Sequence, residues 1–270
     1  MIRRLSADYF RMGDTRGAEH SSRPDFDVQI LLPIHNEGES IEETIREIYA
    51  EISTFARVQF ILCEDGSKDN TKEVLLRVAD DIPAKLLLSD ARKGYSKAVR
   101  DGMLATDAPY LLCLDSDGQC DPKDFRAMYE ARNEAEVLIG WRVDRADNWM
   151  RKAMSGTFFL LWKALYRCPI HDPSCPYMLA QREVVHALAS QMGAMKEGFW
   201  WEFMARVHRL GFTIREFPVQ HRERASGVTQ VYRLKKLPGI GYRHFLALFQ
   251  ILRETRSRSA QASVNMAPHR

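Results

Sequence analysis

Between Val28 and Gly140, short apolar runs alternate with segments of helical spacing, and that alternation leaves few folds open to the chain. Val28–Pro33, Val58–Cys63, Lys85–Leu88, Tyr110–Leu114 and Glu136–Gly140 read as strands, most of them continuous enough in apolar character for burial on both faces. Between them lie Glu39–Ile52, with isoleucine at 41, 45, 48 and 52, a helix from about Asp69, Ser96–Ala105, and a helix from Pro122. Strand and helix in strict succession predict an α/β fold: a doubly wound, mostly parallel sheet with helices on both faces.

After Trp141 the rhythm changes. Trp149–Tyr166 reads as a long helix with interleaved aromatic and basic residues, and Phe199–Leu210 as a second helix closed by Gly211. Phe212–Val219 reads as a returning strand. The main domain is therefore expected over residues 25–231, followed by a basic amphipathic segment over 232–254. Polar composition marks residues 1–24 and 255–270 as disordered tails.

Charge is divided along the chain. From Trp200 onward there are 13 Lys or Arg against 4 Asp or Glu, while Met1–Phe199 holds 26 against 32. An acidic body suits a cation site, and a basic end suits an anionic ligand or surface. The five cysteines are odd in number and widely spaced, which points to free thiols in a reducing compartment. Arg3 and Arg4 lack an apolar run behind them, so no signal peptide is expected. No stretch reaches the roughly 18 to 20 apolar residues that a bilayer crossing needs. Trp149–Tyr166 and Tyr232–Arg253 mix aromatic and cationic residues, as helices lying in a headgroup layer do; packing on the domain's own core is the plain alternative.

The chemistry is concentrated where the strands end. Asp115-Ser116-Asp117-Gly118-Gln119 follows the fourth strand directly, so its carboxylates emerge at the carboxyl edge of the sheet, where such folds hold ligands. Two hard oxygen ligands beside an amide suit Mg²⁺ or Mn²⁺ gripping a diphosphate. An isolated acidic turn would more simply cap the next helix. Here it is joined by Pro33-Ile34-His35-Asn36-Glu37 after the first strand and Glu64-Asp65-Gly66-Ser67 after the second. Arg92-Lys93-Gly94-Tyr95 adds a basic turn leading into a helix, a ready anion site.

These residues resemble the family 2 glycosyltransferases of GT-A fold. The motifs that carry the likeness are Pro33–Glu37, Glu64-Asp65-Gly66-Ser67 with Asp69 and Thr71, Lys93-Gly94, and Asp115, Asp117 and Gln119. Arg142, Arg151, Ser155, Asp172, Glu202, Glu216–Val219 and Arg224 with Gly227 and Thr229 are similar to the dolichol-phosphate mannose synthase-like branch, which acts on polyprenyl phosphates. The resemblance implies that Pro33, Glu37 and Asp65, grouped with His35 and Ser116, bind the nucleotide, with Lys93 near the donor. Asp115, Asp117 and Gln119 would hold the metal, and Arg142, Arg151 and Ser155 the acceptor phosphate. Asp117, Glu202 and Arg224 form the catalytic set. Tyr177-Met178 and Gln230 stand where that branch carries Phe-Arg and Lys, which removes two cations from the phosphate neighbourhood.

The expected function is inverting transfer of a hexose from a GDP- or UDP-sugar to a polyprenyl phosphate, with Mg²⁺ or Mn²⁺, at the cytoplasmic face of an anionic membrane and with room for an integral membrane partner. One alternative is transfer to a hydroxyl with Glu202 as base, although Glu202 also stands at helical spacing from Arg206 for a structural pair. Another is a silent nucleotide-sugar-binding scaffold. The basic end carries no nucleic-acid module.

Overall fold

A computed structural model describes residues 25–143, 149–222 and 237–265. The expected tail at 1–24 lies outside them, as do Arg224 and the Gly227–Gln230 stretch. Five strands and four helices make up the first half: β1 (Val28–Ile34), α1 (Ile41–Ile52), β2 (Val58–Glu64), α2 (Thr71–Asp81), β3 (Ala84–Leu87), α3 (Tyr95–Leu104), β4 (Tyr110–Cys113), α4 (Phe125–Glu130) and β5 (Val137–Arg142). Then come α5 (Trp149–Tyr166), β6 (Met178–Gln181), α6 (Arg182–Ala189), α7 (Phe199–Arg209), β7 (Ile214–Val219) and α8 (Leu237–Asn265).

The seven strands form one sheet in the order β3-β2-β1-β4-β6-β5-β7. β3, β2, β1 and β4 run parallel, and β7 is parallel to β5. β6 is antiparallel to both β4 and β5. Every residue of β1 is buried, as expected of a central strand, and its one polar side chain, Gln29, is hydrogen-bonded to Gln59 and Asp107. Each Ile or Leu side chain so buried contributes roughly 1.5–3 kcal/mol. Right-handed crossovers put α1 and α2 on one face and, once the winding direction reverses, α3 on the other. α1 accordingly packs on α2 and buries Ile41, Ile45, Ile48 and Ile52, while α3 packs on β1, β2 and α6.

The doubly wound sheet matches the expectation for the first five strands, with ends shifted by a residue or two. β6 and α6 are additions that the sequence reading left out. Met178–Gln181 is a four-residue run behind Cys175-Pro176, too short to show alternation, yet it separates β5 from β4. All five cysteines are buried and free, and burial pushes the Cys63 thiol up to about 12.

The long helices correct two expectations. α5 turns its aromatic stripe inward: Trp162 is fully buried and donates to the Trp201 carbonyl at 3.1 Å, and the Tyr166 hydroxyl donates to the Leu248 carbonyl at 2.7 Å. Residues 255–265, expected as part of a disordered tail, continue α8 to Asn265, and 266–270 lie outside the described residues. α8 lies on α7 and buries Ile240, Ala247, Leu248 and Ile251, while Tyr242, Phe245, Leu246 and Phe249 are exposed. Among the described residues no helix is long and apolar enough to cross a membrane.

One contact sets how closely α3 can lie on the sheet. A Cβ on Gly102 would stand 2.5 Å from Leu31 Cδ1 and 2.6 Å from Cys63 Sγ. Overpacking of this kind costs about 1–3 kcal/mol, and the gain in helix propensity returns up to about 1 kcal/mol. Gly102→Ala is therefore expected to lower the urea midpoint by a net loss of roughly 1–2 kcal/mol; an unchanged midpoint would show that the core yields there freely.

Candidate active site

The winding direction reverses between β1 and β4, so the loops leaving their carboxyl ends diverge and open a crevice. The loop after β1 is pinned to the loop after β2. Asn36, in the left-handed region at φ 54°, donates its N–H to Ser67 Oγ at 2.9 Å, and its side-chain oxygen accepts from the Lys68 N–H at 2.9 Å. His35 Nδ1 lies 2.8 Å from the Asp65 carbonyl, which can only accept, so the ring proton sits on Nδ1 and Nε2 faces the Asn36 amide at 3.2 Å. The Glu37 N–H donates to Thr71 Oγ1 at 3.1 Å and the Gly38 N–H to Asp69 Oδ2 at 3.1 Å. The Asp69-x-Thr71 spacing thus serves to hold the Glu37 turn.

Asp65 is nearly fully buried and accepts the backbone N–H groups of Lys93, at 2.6 Å, and Gly94, at 2.9 and 3.0 Å. Its carboxylate shapes the basic turn, and Gly94 can take the required φ of 95° because it has no Cβ. Gly66 is needed for a different reason. A Cβ there would meet backbone atoms of Ala91 and Arg92 at 2.4 Å, so only glycine lets the two turns touch. The Lys93 amine reaches back to Asp101 at 2.5 Å. Glu64, fully buried, accepts from the Ser67 and Ser89 N–H groups and faces Lys72 at 3.7 Å. Burial opposes its charge, but these partners outweigh it and hold the carboxyl below its ordinary range.

On the β4 side, the Leu114 N–H continues the pairing to the Leu31 carbonyl at 3.1 Å, and Ser116 Oγ donates to the Pro33 carbonyl at 2.8 Å. The chain then turns through Gly118, at φ 74°. Asp115 Oδ1 accepts from the Tyr95 hydroxyl at 2.9 Å, and that hydroxyl accepts from Trp200 Nε1 at 2.8 Å. The Tyr95 ring edge is exposed, while its hydroxyl is enclosed; burial and the Asp115 carboxylate raise it well above the usual phenol range. Asp117 Oδ1 accepts from the Gln119 N–H at 3.2 Å. Gln119 spends its amide nitrogen on the Arg222 carbonyl at 3.1 Å, and the Arg222 N–H returns a bond to the Gln119 carbonyl at 2.9 Å. This ties the β4 loop to the segment after β7.

The structure thus brings Pro33, His35, Glu37, Asp65, Lys93, Asp115, Ser116, Asp117 and Gln119 to one sheet edge. Other expected residues have different surroundings. Arg142, at the end of β5, is clamped by Asp172 at 2.7 and 3.0 Å and by Ser174 Oγ at 2.7 Å, so its fork is engaged within the protein. Arg151 and Ser155 lie in the first turns of α5, and their side chains are outside the described part. Glu202 has no exposed surface. It accepts from the N–H groups of Gly193 and Met195 and from Arg206, whose other nitrogen reaches Glu254 on α8 at 2.7 Å. That geometry matches the structural alternative: Glu202 anchors the turn before α7. Tyr95 and Trp200 were not singled out as site residues; only the position of Tyr95 beside Lys93-Gly94 hinted at a role.

A family model described as Glycosyl transferase family 2 matches residues 29–189. Glycosyltransferase AglD of Haloferax volcanii is 27% identical over 228 residues, covering 80% of this chain and 36% of that protein, so the chain spans about a third of its length. The undecaprenyl-phosphate 4-deoxy-4-formamido-L-arabinose transferase of Edwardsiella ictaluri is 24% identical over 221 residues, covering 80% of this chain and 66% of that protein. Among solved structures, glucosyl-3-phosphoglycerate synthase from Mycobacterium tuberculosis, in complex with Mn²⁺, UDP and its glucosylated product, superposes with a TM-score of 0.63 at 17% identity. It covers 84% of this chain and 80% of that one. That likeness establishes the fold, and it agrees with the GT-A architecture read from the sequence.

Removing one member of a buried ion pair typically costs about 3–5 kcal/mol, because the other charge is left uncompensated. Glu202→Ala is expected to lose stability on that scale in a denaturant titration, softened where Glu254 keeps hold of Arg206. A variant of unchanged stability but abolished turnover would instead give Glu202 a chemical task.

Proposed function

The chain belongs to glycosyl transferase family 2, and on that premise we propose that it moves a hexose from a nucleotide diphosphate sugar to a polyprenyl phosphate, with inversion and with a divalent metal. The observation that carries the donor half of this reading is the pair Asp115 and Asp117 at the mouth of the β1–β4 crevice, opposite the basic turn that Asp65 shapes. The Edwardsiella relative, by its name, acts with undecaprenyl phosphate, and this supports the acceptor half.

The donor set fits a magnesium- or manganese-sized cation. Such ions commonly take one or two carboxylates from the protein and complete their shell with water and substrate phosphates. Among the described residues no cluster of three His, Cys, Asp or Glu forms a closed cage, which agrees with a site completed by the diphosphate. Asp115 and Asp117 would hold the ion, and Gln119 could add its side-chain amide oxygen, its NH2 donating to the Arg222 carbonyl. The solved Mycobacterium synthase binds Mn²⁺ with UDP in its complex, which supports the same assignment here. The ion would supply Lewis-acid stabilisation of the departing diphosphate.

The chain's own residues do the remaining work. The Glu37 and Asp65 loops frame the nucleotide, held rigid by the Asn36–Ser67 and Asp69–Thr71 bonds before any ligand arrives. Preorganised groups of this kind stabilise developing charge without reorganising as it forms. Arg224 is assigned to the leaving phosphates. A phosphate acceptor is already anionic and needs little help from a base, which accords with Glu202 being spent on Gly193, Met195 and Arg206. Arg142, Arg151 and Ser155 are assigned to the acceptor side, with Arg142 reaching it only by sharing Asp172.

A lipid acceptor requires access to a bilayer. The outward face of α8 carries Tyr242, Phe245, Leu246 and Phe249, with exposed Arg253 and Arg256 following them. We assign that face to the headgroup layer of an anionic membrane on its cytoplasmic side, where apolar burial and charge attraction add.

Labelled GDP-mannose, UDP-glucose, UDP-galactose and UDP-N-acetylglucosamine, each paired with a short polyprenyl phosphate and Mn²⁺ or Mg²⁺, test the reaction directly. Transfer to lipid from one donor, abolished by EDTA, is expected; nucleotide release without glycolipid would move the acceptor elsewhere. Asp117→Ala should lower turnover about 10²- to 10³-fold or more with the fold intact, and an unchanged rate would remove the metal from the mechanism. Flotation with anionic vesicles should fall when Leu246 and Phe249 are both changed to Ser, and should weaken as salt rises. Equal flotation of that variant would refute the membrane face.

A further inference from the structure

Asp115 must present its carboxylate in one orientation to serve as a metal ligand, and the protein contains a device that fixes it. An indole N–H is a donor only, so the Trp200 bond to the Tyr95 oxygen, at 2.8 Å, forces that oxygen to accept. The hydroxyl proton is then left for one partner, Asp115 Oδ1 at 2.9 Å. A phenol hydroxyl is otherwise a free rotor that can donate or accept; here its direction is set.

Both ends of the relay are themselves held. The Gly94 N–H, just ahead of Tyr95, is bonded to Asp65, which places the start of α3 against β2. Ser96 Oγ donates to the Lys196 carbonyl at 2.6 Å and ties the same turn to the loop before α7. The Trp200 ring is buried and meets Phe199 and Phe203 edge-on, with centroids 5.1 and 6.0 Å away. Tyr95 itself is partly exposed, at 39%.

We propose that Tyr95, directed by Trp200, is a positioning residue that holds Asp115 in its metal-binding orientation. The inference rests on the metal reading proposed above and adds two residues to it. Neither touches the substrate; both act through the Asp115 carboxylate. Partners of this kind, behind a metal ligand, typically change metal affinity by about 10- to 100-fold when removed.

The test measures Mn²⁺ affinity in the presence of UDP, from the loss of the free Mn²⁺ electron paramagnetic resonance signal. Tyr95→Phe keeps the ring and is expected to weaken Mn²⁺ binding roughly 10-fold or more, with the affinity for UDP in EDTA unchanged and a modest fall in melting temperature as the Trp200 N–H loses its acceptor. Trp200→Phe should show a smaller loss. The double variant should be no worse than Tyr95→Phe alone, because the indole then has no hydroxyl left to direct. Mn²⁺ affinity within twofold of the parent in Tyr95→Phe would overturn the proposal. A double variant whose loss equals the product of the two singles would overturn the part played by Trp200. Failure of the parent protein itself to bind Mn²⁺ with UDP would instead refute the metal reading, and this inference with it.

Discussion

The parallel pairing of β1 with both β2 and β4 is the constraint from which the site follows. One strand supplies the edge for two neighbours wound in opposite directions, so the chain leaving it cannot be covered by either connection. Register then decides which side chains meet. Ile34 pairs with Glu64 and Leu31 with Cys113, so His35 to Glu37 emerge level with Asp65 to Ser67, while β4 ends earlier and brings Asp115 to Asp117 out at the same edge, beside Pro33 to His35. Ser116 closes the gap by bonding the Pro33 carbonyl where the ladder between the strands has ended.

Two carboxylates of similar burial have taken up the same duty in different loops. Asp65 satisfies backbone donors of the basic turn, and Glu202 does the same for the turn ahead of α7. Each converts a buried negative charge into a fixed loop, a use of charge that is stable only when the carboxylate oxygens find donors. Arg206 then extends the Glu202 anchor to Glu254, so α8 is joined to α7 by a charge as well as by Leu248 and Ile251.

The strand-end motifs were legible in the sequence because each follows an apolar run long enough to identify its strand. Local spacing shows where a carboxylate emerges, but not what it bonds to. Asp65 could be placed at the edge, whereas its engagement with Lys93 and Gly94 depends on a turn 28 residues away. Glu202 shows the same limit: its spacing to Arg206 was visible, and its complete burial was not. The Trp200–Tyr95–Asp115 relay joins three elements and leaves no periodic trace. β6 escaped notice because a four-residue strand between proline and a helix carries less pattern than a loop of similar composition. The aromatic stripe of α5 was equally consistent with lipid and with core, and only the packing of Trp162 and Tyr166 distinguishes them.

The late position of β6 in the chain also orders assembly. During synthesis, β1 to β4 emerge with all that their parallel pairing needs, yet one side of β4 has no neighbour until Met178–Gln181 has been made. Until then the Leu111-Leu112-Cys113 backbone is an open, apolar edge of the kind that recruits other chains. β5 waits for the same four residues, since it reaches the sheet only through them. A strand of only four residues is thus the one that turns two partial sheets into one, and nascent chains stalled before it carry the greatest exposure to misassembly.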